Sequence, residues 1–61
     1  MDERQRQAKI ERCRANIEGH RKQKAYYEQS NTDLAKQLCR DFDDYIRLDE
    51  QEIQRLQRLH R

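Results

Sequence analysis

The stretch EQSNTDLAK, residues 28–36, holds the one dense cluster of turn formers in this 61-residue chain. Ser30, Asn31, Thr32 and Asp33 all favour turns and helix N-caps, because their short polar side chains can hydrogen-bond nearby backbone groups. Ser30 with Asp33 three positions on forms a loose capping box, Asp standing where Glu or Gln is usual. On either side the sequence is rich in Gln, Ala, Leu, Ile and charged residues, with no Pro and a single Gly, a composition that favours helix. The reading is therefore all-α: helix one over about 3–28, a turn over about 29–32 and helix two over about 33–60, as one helical-hairpin domain spanning 1–61. Each helix should be about 40 Å long, and so short a connection makes them antiparallel neighbours.

Such a chain has little with which to build a core, since a domain of this size buries only about 60% of the surface its unfolded chain exposes. Charged residues make up 43% of the sequence. No apolar run approaches the roughly 18 residues of a membrane span. Met1-Asp2-Glu3-Arg4 leads straight into a polar helical pattern, and two cysteines do not make a secreted disulfide framework. The expectation is a reduced, cytoplasmic protein that gains stability from a partner.

Helix two carries the stronger apolar pattern. At 100° per residue, Leu34, Ala35, Leu38, Cys39, Phe42, Tyr45, Ile46, Leu48, Ile53, Leu56 and Leu59 fall within about half of its circumference. A face that broad can meet two neighbours, helix one and a second subunit. Helix one offers a thinner stripe at heptad spacing, Ile10, Cys13, Ile17, His20, Lys24 and Tyr27, with Arg6 before it. The prediction is dimerisation into an antiparallel four-helix bundle or coiled coil, with an assembly interface of Ile10, Ile17, Leu38, Phe42, Tyr45, Ile46, Asp49, Ile53 and Leu56. If residue numbers across the hairpin sum to about 61 or 62, Gly19 faces Phe42, which suggests a notch for the ring rather than a hinge in helix one.

Charge is segregated along the chain. Residues 4–24 hold eight Lys or Arg against two Glu, and residues 41–52 hold six acids against Arg47. In the antiparallel hairpin these stretches lie side by side and can select the register, although each exposed pair is worth only about 0.2–1 kcal/mol. The alternative use of Arg4, Arg6, Lys9, Arg12, Arg14, Arg21, Lys22 and Lys24 is to track phosphates on a nucleic acid. In that architecture the chain resembles the small dimeric helical bundles that regulate plasmid RNA. Against it stand a net charge of only +2 and the lack of a helix-turn-helix, zinc-finger or basic-zipper pattern.

Residues able to carry chemistry do not converge. Cys13, His20, Cys39 and His60 are the right ligand types for zinc, but Cys13 and His20 stand two turns apart, about 10 Å, and the two cysteines face different levels of helix one and helix two. No metal or other cofactor is expected. Both cysteines read as small buried residues, His20 as a seam residue bonded near Asp41 or Asp44, and His60 as solvated at the terminus. The acids of RDFDDYIRLDE, residues 40–50, point in different directions round the helix. Asp49 alone falls inside the apolar face, where it must either remain wet or be paired, with Arg6, Arg12 or Arg14 of its own chain or of a second subunit able to reach it. The stretches IERCRANI and LCRDFDDYI resemble the two helices of the short sporulation-regulating aspartyl phosphatases at Leu38, Asp43 and Ile46. Cys39 and Arg40 replace the Ser and Gln of that family's second-helix core, which puts its activity in doubt here.

The sequence thus predicts no enzyme. It predicts a small regulatory, adaptor or inhibitor protein of the kind phages and mobile elements encode, acting by self-association and by binding a larger protein partner through Tyr26, Tyr27, Asp43, Asp44 and Arg47. Nucleic-acid binding through helix one is the alternative.

Overall fold

A computed structural model describes residues 2–59 and contains two α-helices, α1 (Glu3–Glu28) and α2 (Asp33–Arg58), packed as an antiparallel hairpin. α2 ends at Arg58 with Leu59 as its cap, and His60, the expected end of helix two, lies outside the described residues. The molecule is a rod, 46 Å along its longest axis and 14 Å across the next.

Local chemistry sets the ends of each helix. Asp2, extended at φ −80° and ψ 168°, caps α1 by accepting the Gln5 N–H at 2.8 Å. Thr32, extended at φ −95° and ψ 157°, caps α2, its hydroxyl accepting the Ala35 N–H at 3.1 Å. The cap is therefore Thr32 and not Ser30, because the side chain two residues later is the one that meets the free N–H groups of the first turn. Asp33 then places a carboxylate in that first turn, where the helix dipole favours it. α1 ends as Gln29 and Ser30 donate their N–H groups to the carbonyls of Tyr26 and Tyr27. Among the described residues none has a positive φ, so the turn closes without glycine.

The helices meet along heptad seams. On α1, Arg6, Ile10, Cys13 and Ile17 are buried and His20, Lys24 and Tyr27 half-buried, each three or four residues after the last. On α2 the matching seam is Ala35, Cys39, Phe42, Ile46, Asp49, Ile53 and Leu56. Arg6 lies level with Leu56 and His20 with Phe42, so facing residue numbers sum to about 62. The half of the rod nearest the chain ends is aliphatic, closed by Ile10 and by Leu56, which is 0% exposed. Burying one such leucine contributes about 1.5–3 kcal/mol. The half nearest the turn is aromatic, with Phe42 5.8 Å from the His20 ring and 6.0 Å from the Tyr27 ring.

Gly19 corrects the expectation of a notch. It lies on the solvent-facing side of an unbroken α1, and a Cβ built there would meet nothing within 4 Å. The reason is rotational: Gly19 precedes the seam residue His20 by one position, and so points about 100° away from Phe42. It is neither a notch nor a hinge.

Arg6 is the other correction to the basic row. Its guanidinium is buried, pairs with Glu3 and donates from Nη1 to the Leu56 carbonyl at 3.4 Å. An arginine so enclosed covers the end of the core with its aliphatic stem and is not available to a phosphate.

Candidate functional site

The strongest candidate is the apolar side of α2 that α1 leaves uncovered. Leu34, Leu38, Asp41, Tyr45, Leu48, Glu52, Arg55 and Leu59 follow one another at alternating spacings of four and three, a second heptad stripe turned about 100° from the seam. The broad face read from the sequence thus divides into two, one filled and one open. Leu34 is 70% exposed, Leu48 62%, Leu59 57% and Tyr45 50%, while Leu38 is half-buried. Single exposed leucines are ordinary, but these are aligned along the full length of one helix.

The residues assigned to assembly separate accordingly. Ile10, Ile17 and Leu56 are buried in the hairpin's own seam, and Phe42, Ile46, Asp49 and Ile53 line it half-buried. Leu38 and Tyr45 belong to the open stripe. Leu34, Leu48 and Leu59, which the sequence places in the same broad face, are the stripe's most exposed members.

Charges punctuate the stripe. Arg55 donates to Glu52 from both Nε, at 3.1 Å, and Nη2, which holds the Glu52 carboxyl below its ordinary pKa, with a smaller contribution from Lys9 on α1. Gln37 donates to Asp41 at 3.1 Å. Asp44 and Arg47 are exposed beside the stripe and carry no ion pair within 4 Å among the described residues.

Of the two states open to Asp49, paired with an arginine or wet, the single hairpin takes the second. Among the described residues no ion pair joins it to Arg6, Arg12 or Arg14, because Arg6 is engaged by Glu3 and the other two point away from the seam. It lies half-buried in the wall of a shallow depression of about 280 Å³ with Asn16, His20, Tyr45 and Leu48, and so remains wet. His20 likewise lacks a bond to Asp41 or Asp44. Its ring packs 5.4 Å from Tyr45 and 5.8 Å from Phe42, and its buried Nδ1 has no hydrogen-bond partner among the described residues.

At the turn, Tyr26 is exposed and packs edge-on against Tyr27 at 5.2 Å. Tyr27 is half-buried and stacks on Phe42. Asp43 binds Lys24 at 2.7 Å, which raises the lysine pKa above its ordinary value. With Arg21 and Glu50 at 3.7 Å, this is the cross-helix pairing that the two charge blocks produce. Lys22 pairs with Glu18 within α1. Of the eight basic residues of helix one, Arg4, Lys9, Arg12 and Arg14 have no carboxylate within 4 Å among the described residues. Those four point to well-separated directions, from about 80° to 300° round the helix, and do not form one basic track.

Both cysteines are free. Burial, with Asp49 and Glu52 nearby, raises the Cys13 thiol above its ordinary pKa. Cys39 donates to the Lys24 carbonyl at 3.7 Å. Among the described residues there is no group of three or more His, Cys, Asp or Glu placed to hold a metal. Among the described residues no helix is long and apolar enough to cross a membrane. A depression of about 470 Å³ between Arg14, Ile17, Glu18, Arg21 and Glu50 is an open groove in the rod's side.

No family model, curated protein or solved structure matches the chain.

Proposed function

We propose that this chain is a small non-catalytic regulatory or adaptor protein that acts by helix-to-helix contact with another protein through the open face of α2. The observation that carries the reading is the row of exposed Leu34, Tyr45, Leu48 and Leu59 along one side of α2, spread over about 38 Å of helix and punctuated by Asp41, Glu52 and Arg55. An apolar row of that length matches what amphipathic-helix recognition uses, with side chains at i, i+3, i+4 and i+7 as anchors. Asp44 and Arg47 lie along its margin, where charged residues set orientation more than affinity. Tyr26 and Asp43 are reassigned to the hairpin tip and the Lys24 pair, outside this face. The free cysteines fit a reducing compartment, and we include a cytoplasmic location in the reading.

Nucleic-acid binding by α1 is the second reading, supported by the four basic side chains that lack a carboxylate partner. A photo-crosslinking residue placed at Leu48, compared with one at Gln57 on the exposed back of α2, separates the two. Protein adducts from position 48 and none from 57 are the expected result. Nucleic-acid adducts, together with retention on a polyanion column that collapses steeply with salt, would establish the alternative. No adduct from position 48 with any protein, this one included, would refute the reading.

A further inference from the structure

We infer that the occupant of the α2 stripe is the α2 helix of a second copy, running antiparallel to the first. The inference rests on the preceding reading and names its partner.

The stripe's spacing is symmetric about its centre, between Tyr45 and Leu48. Laid against its own copy in reverse, so that facing numbers sum to about 93, it brings Tyr45 level with Leu48 of the second copy and Leu34 level with Leu59, and each contact occurs twice. The apolar residues therefore match at the centre and at both ends of the stripe, while Leu38 comes level with Arg55 of the second copy, whose aliphatic stem can cover it. Asp41 comes level with Glu52 of the second copy, and Arg55, already bound to Glu52, supplies the compensating charge within one turn.

The charges on the outer margin select the direction. In the reversed register Asp44 lies within one turn of Arg47 of the second copy, and Asp33 within one turn of Arg58, both within reach of an arginine side chain. Run parallel, the outer margin of one helix meets the seam-side margin of the other, and neither of these two pairs can form. Area is consistent with a stable pair. A stripe one-third of the circumference of one of two equal helices is about a sixth of the 5141 Å² surface, close to the roughly 800 Å² per partner that specific complexes bury. The hairpin's own seam lies about 100° away, so α1 does not obstruct the approach.

Sedimentation of the intact chain over a concentration series reads the result. The wild type should move from a 7.6 kDa monomer to twice that mass. Leu48→Glu should remain monomeric with unchanged helical circular dichroism, since Leu48 is 62% exposed and outside the seam. Asp44→Arg should weaken dimerisation about tenfold or more, and adding Arg47→Asp should restore it, because the swapped pair is again complementary only when the helices run antiparallel. A wild type that stays monomeric into the millimolar range would overturn the inference, as would a dimer indifferent to Leu48→Glu or a double variant no tighter than the single. A monomer that still crosslinks to another protein from position 48 refutes the self-pairing and leaves the function standing. A chain that crosslinks to no protein refutes both.

Discussion

Replacing Gly19 with alanine should make this protein more stable, although glycine is rare in its sequence and stands in the middle of its first helix. The physical ground is that Gly19 lies in regular α-helix with no positive φ and no atom within 4 Å of the position a Cβ would take. The substitution therefore meets no steric opposition, and it removes the conformational freedom that makes glycine cost about 0.8–1 kcal/mol relative to alanine in a helix interior. For a chain of 61 residues, unfolding entropy at about 2.1 cal/mol/K per residue amounts to roughly 130 cal/mol/K, so 1 kcal/mol moves the melting temperature by about 8 °C. In urea, with a slope near 1 kcal/mol/M for so small a chain, the midpoint should rise by about 0.8–1 M with the slope unchanged. Thermal and urea melts followed at 222 nm, at one fixed protein concentration, measure both. A melting temperature unchanged or lowered would show that Gly19 faces a neighbour or carries a bend, and would refute the placement of this side of α1 in solvent.

Other substitutions separate the two faces of α2. Leu56→Ala, at a fully buried position, should cost about 2–5 kcal/mol and leave a chain this small largely unfolded at 37 °C, whereas Leu48→Ala should change hairpin stability by less than about 0.5 kcal/mol in dilute monomer. Thr32→Ala removes the hydroxyl that accepts the Ala35 N–H and should cost about 1 kcal/mol, while Ser30→Ala, whose hydroxyl only reaches Thr32 at 3.5 Å, should cost much less in the same urea melts. Under native conditions a thiol reagent should modify Cys39 before Cys13, which is buried with its pKa raised, and peptide mapping of the singly modified product checks the order. The raised thiol also fixes a sign. Burial favours the protonated form in the folded chain, so Cys13 contributes stability that is complete below its ordinary value near 9.0 and is lost as pH rises through its folded value. Cys13→Ala should flatten that alkaline decline, read from urea midpoints across the pH range.

Much of the hairpin was written locally. Residues 30–33 can do little but turn the chain and start a helix, and a 3.6-residue period with no proline leaves no competing structure. The α1 seam was equally legible, from Arg6 and Ile10 through Tyr27, because a narrow stripe at strict heptad spacing has one way to face a partner helix. Which of four adjacent polar residues becomes the cap was not legible. Ser30 and Thr32 have nearly the same chemistry, and only the backbone path through the turn decides whose hydroxyl meets the free N–H groups.

The rest depended on rotation about the helix axes, which no local pattern carries. An apolar face half a circumference wide on α2 can be centred on α1 at several angles, and the hairpin chooses the one that buries Ala35 and Leu56 and half-buries Phe42, Ile46 and Ile53 while leaving Leu34, Leu48 and Leu59 in water. That choice also removes the expected partners of His20 and leaves Asp49 wet. A carboxylate or arginine one position off the seam points about 100° away from it, and nearness along the sequence then counts for nothing. By itself the sequence determined that the chain is two antiparallel helices and where α1 presents its seam. Only tertiary packing divided the broad face of α2 into a core and an open stripe, because a helix can turn one side to its neighbour only by turning the other away.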